Sequence, residues 1–317
     1  MERPRHILVV IDPTVTQHPA LERARLLALA FHARVELFVC YVTHAAVELR
    51  IDERQLEKLA NGLREQGIET TTDEASDATI HGGILRKVLR SQPSLVVKDT
   101  HPHSLLRRSF LANTDWQLIR LCPAPLLFVH PGEWSRPPRI AAAVDVALPG
   151  EKPAVLDHLL LSAAESFALA TDGLSYVAHA YLPVSGLTAT ATTLAVPMAA
   201  GVDPARITAD GELLAREQFE ELLSTHDVSH ERRRLLAGRP SDALVEFVRH
   251  SAIDLLVMGA FARGWMYNVL VGSTTERILD LLPCDVLVMK PASFECPLRS
   301  EAIDRTHVAS GAPATRE

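Results

Sequence analysis

The sequence predicts two tandem α/β domains, each a doubly wound parallel sheet with helices on both faces. Three observations predict this fold class. Aliphatic strands alternate with amphipathic helices, the stretch 94–131 repeats without gaps as 254–291, and a break rich in proline and glycine separates the copies. The length of 317 residues is enough for two ordinary domains. We therefore place the first domain at 1–132, the second at 138–293 and a flexible tail at 294–317.

In the first copy, short aliphatic segments alternate with amphipathic ones, as in a parallel sheet that is covered on both faces. The predicted strands are 7–11, 35–41, 69–73, 95–97 and 126–129. The predicted helices are 19–31, 46–66 and 79–91, with a further helix that ends before Pro123. Right-handed crossovers between such strands make the copy a doubly wound layer structure.

The second copy repeats this order and adds an insertion. Its strands are predicted near 140–144, 174–180, 229–235, 255–258 and 286–289. The insertion spans 183–210, and its core at 187–200 carries no charged residue. Its short length, Pro197 and several threonines argue against a bilayer span. Two interpretations remain open, a mobile surface loop or a lid over the ligand cleft of the second domain.

Composition argues against several classes of protein. The chain is 47% hydrophobic and 22% charged, which is a globular composition, and its net charge of −7 argues against a broad nucleic-acid-binding face. The basic run 232–234 is expected to be a solvated strand or loop edge. The four cysteines form no CxxC pair and predict no disulfide framework. We expect a cytoplasmic protein with no signal peptide and no membrane association.

The second copy carries the better candidate site. In open parallel sheets, ligands bind outside the carboxyl ends of the strands, where the strand order reverses. The fourth strand ends at Gly259, whose missing Cβ lets a ligand approach the backbone. Gly272, Ser273 and Thr274 place amides and two hydroxyls at a predicted helix N-terminus, which favours an anion. Phosphate binding is one interpretation of this loop, and a plain N-cap is the other.

Motifs along nearly the whole chain resemble those of one known family. They are ILVVID at 7–12, TDWQLIRLCP at 114–123, DLLVMG at 254–259, VGSTTERIL at 271–279 and DVLVMKP at 285–291. As a set they resemble the universal stress protein family, most closely its tandem-domain E-type members. The insertion at 183–210 and the tail after 293 lie outside the resemblance. It implies a nucleotide-binding fold like that of the adenine nucleotide alpha hydrolases.

The resemblance also implies which residues hold a nucleotide. ATP-binding members carry a glycine, two residues, a second glycine, nine residues, and then glycine with Ser or Thr. In this sequence the first glycine is Gly259 and the last pair is Gly272 and Ser273. The middle glycine is replaced by Ala262, whose methyl group narrows the implied phosphate loop.

Three further residues complete the implied site. The family's aspartate at the end of the first strand, near the base and ribose, corresponds to Asp145. From its position alone, Arg263 is placed where it meets phosphate charge, and Thr274 continues the turn at the helix start. The cofactor that this set of residues implies is ATP with magnesium.

The first copy is a poor candidate for the same chemistry. The gapless counterparts of Gly259, Ala262, Gly272 and Ser273 are Asp99, Pro102, Ala112 and Asn113. A carboxylate at the loop entrance repels phosphate, and the glycine at the helix start is lost. Because only Asp12 is retained from the pattern, we interpret this copy as a structural partner.

Other chemistries have little support in the sequence. His101 and His103 flank a proline without an obvious third ligand, so they are expected to be surface loop residues and no metal site is predicted. No nucleophile elbow or spaced triad is present, so no catalytic residue is assigned. A slow ATPase therefore ranks below a protein that binds without turnover.

The last strand of each copy is a flat aliphatic edge, which is an aggregation hazard unless it is covered. Pairing 126–129 with 286–289 across a pseudo-twofold axis covers both edges, and we expect an intramolecular pseudo-dimer that can self-associate further. The resulting hypothesis is a cytoplasmic stress-response protein that binds adenine nucleotide or unidentified protein partners. The alternative is an interaction scaffold that binds no nucleotide.

Overall fold

The computed structural model of the chain describes residues 3–43, 53–100, 111–146, 155–183, 204–260, 278–279 and 281–298. The first half contains β1 (His6–Ile11), α1 (Pro19–Phe31), β2 (Arg34–Val42), α2 (Glu53–Arg64), β3 (Thr70–Asp77), α3 (Ile80–Ser91), β4 (Leu95–Asp99), α4 (Leu111–Leu121) and β5 (Leu126–Val129). The second half contains β6 (Arg139–Val144), α5 (Val155–Ala170), β7 (Leu174–Tyr181), α6 (Pro204–Leu223), a 3-10 turn (His230–Arg232), β8 (Arg233–Ala237), α7 (Pro240–His250), β9 (Leu255–Gly259) and β10 (Asp285–Met289).

All ten strands belong to one sheet, in the order β3-β2-β1-β4-β5-β10-β9-β6-β7-β8. Within each half every neighbouring pair is parallel. The two halves meet where β5 pairs antiparallel with β10, and Leu127 lies opposite Leu287 at the centre of that contact. The aliphatic edges thus cover each other, as the edge-strand argument predicts.

The core consists of two layers, one on each face of the sheet. Alternate residues of β1 face opposite ways, so Ile7, Val9 and Ile11 join the layer under α1, α2, α5 and α6. Leu8 and Val10 join the layer under α3, α4 and α7. On the first face, the rings of Phe31 and Phe167 meet edge to face with centroids 5.1 Å apart. Equivalent helices of the two halves therefore pack against each other, in addition to the joined strands.

A buried polar cluster connects the halves beside the linker. The Asp285 carboxylate accepts bonds from Arg23 Nε at 2.5 Å and from Trp134 Nε1 at 3.0 Å. The guanidinium of Arg23 lies 4.4 Å from the centre of the Trp134 ring and also donates to the Gly132 carbonyl. Burial raises the pKa of Asp285, and the neighbouring guanidinium acts in the opposite direction. We call Arg23, Trp134 and Asp285 the junction cluster.

Element boundaries differ from the predictions where the sequence is polar. The third strand, predicted at 69–73, continues to Asp77, because an edge strand tolerates polar residues on its exposed positions. The strand predicted at 229–235 begins only at Arg233, after the 3-10 turn. The predicted helix 46–66 is described as α2, and its predicted first seven residues lie outside the described part.

The insertion ends in regular structure, because the helix α6 begins at Pro204 within the predicted 183–210 stretch. Residues 184–203 lie outside the described part, and both interpretations of them remain predictions. In the described ranges, no helix combines the length and the hydropathy needed to cross a membrane.

Candidate functional site

Each half has a cleft where its strand order reverses. In the first half, β1 lies between β2 and β4, and in the second half β6 lies between β7 and β9. Helices connected to these central strands cross to opposite faces, which leaves a crevice at their carboxyl ends. In the second half this crevice brings together two predicted residues, because Asp145 follows β6 and Gly259 ends the adjacent β9.

Two buried polar side chains hold the turn that carries Asp145. The carboxylate of Asp157, in the first turn of α5, accepts a hydrogen bond from the Asp145 backbone N–H at 3.1 Å. On β7, the His179 Nδ1 atom lies 3.1 Å from the Val144 carbonyl oxygen and 3.5 Å from the Val146 nitrogen. Asp157 and His179 are each only 5% exposed. The backbone at Asp145 is therefore held by side chains from two different elements.

Gly259 provides space for a helix. A Cβ built on Gly259 would lie 3.0 Å from Leu156 Cδ2 and 3.8 Å from Leu160 Cδ1, both on α5. Leu156 is 2% exposed, so it fills the volume that the glycine leaves. The missing side chain of Gly259 thus allows α5 to pack closely on the end of β9. This packing role is separate from the phosphate-binding role that the sequence predicts for Gly259.

The remaining predicted contacts lie outside the described residues. These are Ala262, Arg263, Gly272, Ser273 and Thr274. The described chain resumes at Ile278, which is helical and fully buried against the second core layer. The site residues carried over from the family pattern therefore stay predictions, apart from the positions of Asp145 and Gly259.

The cleft of the first half contains its own carboxylates. Asp99, which replaces Gly259, is 4% exposed, and its Oδ1 accepts a bond from Ala20 N at 2.5 Å. Ala20 lies in the first turn of α1, so the carboxylate satisfies an otherwise unpaired amide of that helix. The carboxylate of Asp99 is thus already bonded to the positive N-terminal end of α1.

A second ionic contact lies beside Asp99. The ammonium group of Lys98 donates to the Asp99 carbonyl at 3.0 Å and lies 2.9 Å from Asp115 Oδ1. The side chains of Lys98 and Asp115 are 7% and 13% exposed, so the pair is nearly removed from water. Asp12, the counterpart of Asp145, accepts a bond from Thr14 N at 2.8 Å. Burial lowers the pKa of the neighbouring His18, while Asp12 acts to raise it.

The two clefts therefore offer different chemistry. In the first, the Asp99 carboxylate at the end of β4 is bonded to the start of α1, whereas Gly259 places no charge at the equivalent position of the second. Within the described residues, no three His, Cys, Asp or Glu side chains converge in a way that could hold a metal ion. The predicted loop histidines His101 and His103 lie outside those residues.

A groove of about 1280 Å³ lies away from the second cleft, between α1 and the linker that joins the halves. Its walls include Leu21, Leu26 and Trp134, and it is also lined by the exposed Leu29 and by Arg136. Because linker residues form one wall, the pseudo-twofold axis does not generate the same groove on the other side.

Sequence reasoning missed the two residues that hold the Asp145 turn. Asp157 is an acid at the start of an apolar helix, and His179 is a polar residue inside the run Leu174–Tyr181. A histidine between the small apolar residues Ala178 and Ala180 of a strand was a usable signal, since buried polar groups need specific partners. The basic run 232–234 lies at the start of the edge strand β8, but Arg233 is not solvated as predicted, because its side chain is 16% exposed and pairs with Glu220.

Comparison with known proteins places these features in a family. The model of the universal stress protein family matches residues 4–130 and 143–290. Universal stress protein E of Salmonella typhi is 25% identical over 95% of this chain and 98% of its own length.

Two solved structures from Pseudomonas aeruginosa share the whole architecture. A protein of strain PAO1, described as functionally unknown, is 26% identical with a TM-score of 0.72 and coverage of 96% of this chain and 98% of its own. A putative universal stress protein of strain UCBPP-PA14 is 28% identical with a TM-score of 0.71 and coverage of 91% and 94%.

Proposed function

The chain belongs to the universal stress protein family, the proteins of the stress response, and we propose that it binds ATP in its second half. In this proposal the bound nucleotide sets the state of a regulatory or interaction module, without turnover. Asp145 contacts the nucleoside, and Gly259 with Gly272, Ser273 and Thr274 surrounds the phosphates. The cytoplasmic location expected from the sequence belongs to the same proposal.

The difference between the two clefts carries this proposal. Triphosphate is a multiply charged anion, and each carboxylate within a few ångströms of it opposes binding. The first cleft contains buried Asp99 at the end of its fourth strand, whereas the second has Gly259 there. The buried carboxylate of the second cleft, Asp157, lies at the other strand end, where it already accepts a bond from the Asp145 N–H. A turn held by Asp157 and His179 supports the second cleft as a preorganised site, because buried polar groups fix its backbone.

The predicted phosphate loop adds two features of its own. Arg263 supplies a positive charge, and Ala262 is the smallest replacement for the family's middle glycine. Magnesium, when bound with ATP, would offset phosphate charge, which leaves the protein to supply amides and hydroxyls.

Bound nucleotide gives the first test. The purified protein is denatured, and the released small molecules are analysed for adenine nucleotides by mass spectrometry. The protein stripped of ligand is then titrated with ATP and magnesium by calorimetry. We expect saturable heat, and none at millimolar nucleotide would contradict the proposal.

A matched pair of variants tests which half binds. Gly272→Val places a branched side chain at the predicted phosphate turn, and Ala112→Val makes the corresponding change in the first half. We expect the first variant to abolish binding and the second to leave it unchanged. Equal loss from both would show that the clefts are not functionally different.

An interaction scaffold that binds no nucleotide is the second candidate. The observation in its favour is the first cleft, where Asp99 occupies the α1 N-terminus as an internal anion. A calorimetric blank with every adenine nucleotide, together with an unchanged melting temperature, would favour this scaffold over the nucleotide-binding module.

A further inference from the structure

The second half buries two ionisable side chains beside its candidate site, and neither has an ionisable counterpart in the first half. His179 pairs with Val144 across β6 and β7, and Val39 pairs with Ile11 in the same register of the first half. Val39 is therefore the counterpart of His179. The first half thus buries an aliphatic side chain at this position, and the second half buries an ionisable one.

The counterpart of Asp157 follows from the ends of the helices. α1 and α5 end on the same backbone bond, from Ala33 N to the Ala28 carbonyl and from Gly173 N to the Ala168 carbonyl, so Ala28 and Ala168 are equivalent. Counting back along both helices places Asp157 opposite Gln17, an exposed residue before α1. Burying the Asp157 carboxylate, and burying His where the other half has Val, costs free energy unless the polar groups are bonded.

The bonds that satisfy them converge on one short segment. Asp157 accepts from the Asp145 N–H at 3.1 Å. His179 Nδ1 contacts both neighbours of Asp145, and the 3.1 Å contact with the Val144 carbonyl requires a proton on Nδ1. The 3.5 Å contact with Val146 N becomes a bond only in the other tautomer. In either tautomer, His179 is bonded to backbone next to Asp145.

We propose that Asp157 and His179 are positioning residues that hold the 144–146 turn, and with it the Asp145 side chain, in a ligand-binding geometry. The inference rests on the proposed nucleotide site, which gives Asp145 its role. The His179 ring also lies 6.0 Å from the ring of Phe219 on α6, measured between centroids. Helix α6, which begins within the predicted insertion, therefore packs against His179, one of the two residues that hold the 144–146 turn.

The first half supplies one of the variants that test this inference. His179→Val introduces the residue that the same fold buries at the equivalent position 39, so it is expected to fold. Asp157→Leu replaces the buried carboxylate by an apolar side chain of similar size. Asp157→Asn keeps a carbonyl oxygen as the acceptor. Val39→Ala truncates an equally buried side chain in the first half and serves as the control for general destabilisation.

Two readouts are measured on each variant. Hydrogen exchange followed by mass spectrometry reports on the amides of peptides that contain 144–146, and calorimetry reports on affinity for ATP with magnesium. For Asp157→Leu and His179→Val we expect exchange about tenfold faster and affinity about tenfold weaker, the ratio for one lost hydrogen bond. Asp157→Asn should stay near wild type in both readouts, and Val39→Ala should change neither.

The outcomes separate the two proposals. Unchanged exchange at 144–146 in both apolar variants would overturn the positioning role, whatever the nucleotide does. Faster exchange with unchanged ATP affinity would overturn the link between the turn and the ligand. A wild-type protein that binds no ATP but shows faster exchange in the variants would refute the nucleotide site while leaving the role in the turn supported.

Discussion

The two halves have the same fold and differ at the carboxyl ends of their first and fourth strands. In the first half, Asp99 at the end of β4 bonds the start of α1 through Ala20. In the second, Gly259 at the end of β9 makes room for Leu156 of α5. In the first half the small residue, Ala20, is on the helix and the larger one, Asp99, is on the strand. In the second half the small residue, Gly259, is on the strand and the larger one, Leu156, is on the helix. Equivalent positions can thus exchange volume and charge while the backbone geometry is preserved.

The junction cluster is a second difference, because it exists on one side of the pseudo-twofold axis only. The counterparts of Arg23 and Asp285 are Ala163 and Pro125, which have no charge. One side of the contact between halves is therefore bonded by a buried ion pair, and the opposite side is apolar.

Removing half of the buried ion pair should give the largest effect on stability. Asp285→Ala leaves the Arg23 guanidinium buried without its carboxylate, and we expect a loss of about 3–5 kcal/mol in the free energy of unfolding. The measurement is urea unfolding of the purified protein. The double variant Arg23→Leu with Asp285→Leu should recover most of the loss, because apolar residues pack at the opposite side. A double variant as unstable as the single one would show that the cluster is not replaceable.

A methyl group at the end of β9 should give the next largest effect. In Gly259→Ala the new Cβ lies 3.0 Å from Leu156 Cδ2, so we expect overpacking to cost about 1–3 kcal/mol. Thermal unfolding measures this cost. Combining it with Leu156→Ala, which removes the side chain that the new methyl group meets, should lose less stability than the sum of the two single losses. Strictly additive losses would show that Gly259 is not there to accommodate α5.

Acid should affect the first half by a smaller amount. Burial lowers the pKa of His6, His18 and His81 below the ordinary 6.5. Between the lowered values and 6.5, the unfolded chain binds more protons than the folded one, so stability falls as the pH falls through 6.5. Above 6.5 both states are neutral at these histidines, and the histidines contribute no slope.

Urea unfolding at several pH values between about 7.5 and 5.5 measures this slope. The variants His18→Gln and His81→Gln should each make it shallower, whereas the exposed His250→Gln in the second half should not. As the pH is lowered, amide hydrogen exchange should show that backbone amides of the first half lose their protection before those of the second half. A slope that is the same in all three variants would contradict the assignment.

Most of the fold could be predicted from the sequence, because the signals that define it are local. The aliphatic strands and the gapless repeat place the elements, and an unprotected edge such as Leu126–Val129 predicts the strand pairing between halves. The ends of β3 and β8 were misjudged, since both are edge strands with polar residues and their hydrophobic pattern is weak.

The site was predicted less completely, for a physical reason. Asp145 and Gly259 stand at strand ends, which a pattern of strands and loops can locate. Asp157 and His179 act through single hydrogen bonds to backbone far away in the chain, and such partners are set by tertiary packing. The same limit hid the role of Leu156, since no local pattern states which helix covers a given glycine.

The antiparallel joining of β5 and β10 also affects how the protein can evolve. In a homodimer built from one such unit, every substitution near the axis appears twice, so an arginine on one side always brings a second arginine on the other. Here a single codon changes one side alone. The pairing of Arg23 with Asp285, opposite uncharged Ala163 and Pro125, is an arrangement that a symmetric homodimer cannot form. Because the two halves lie in one chain, a substitution in one half does not appear in the other, and the two clefts can carry a carboxylate in one half and a glycine in the other.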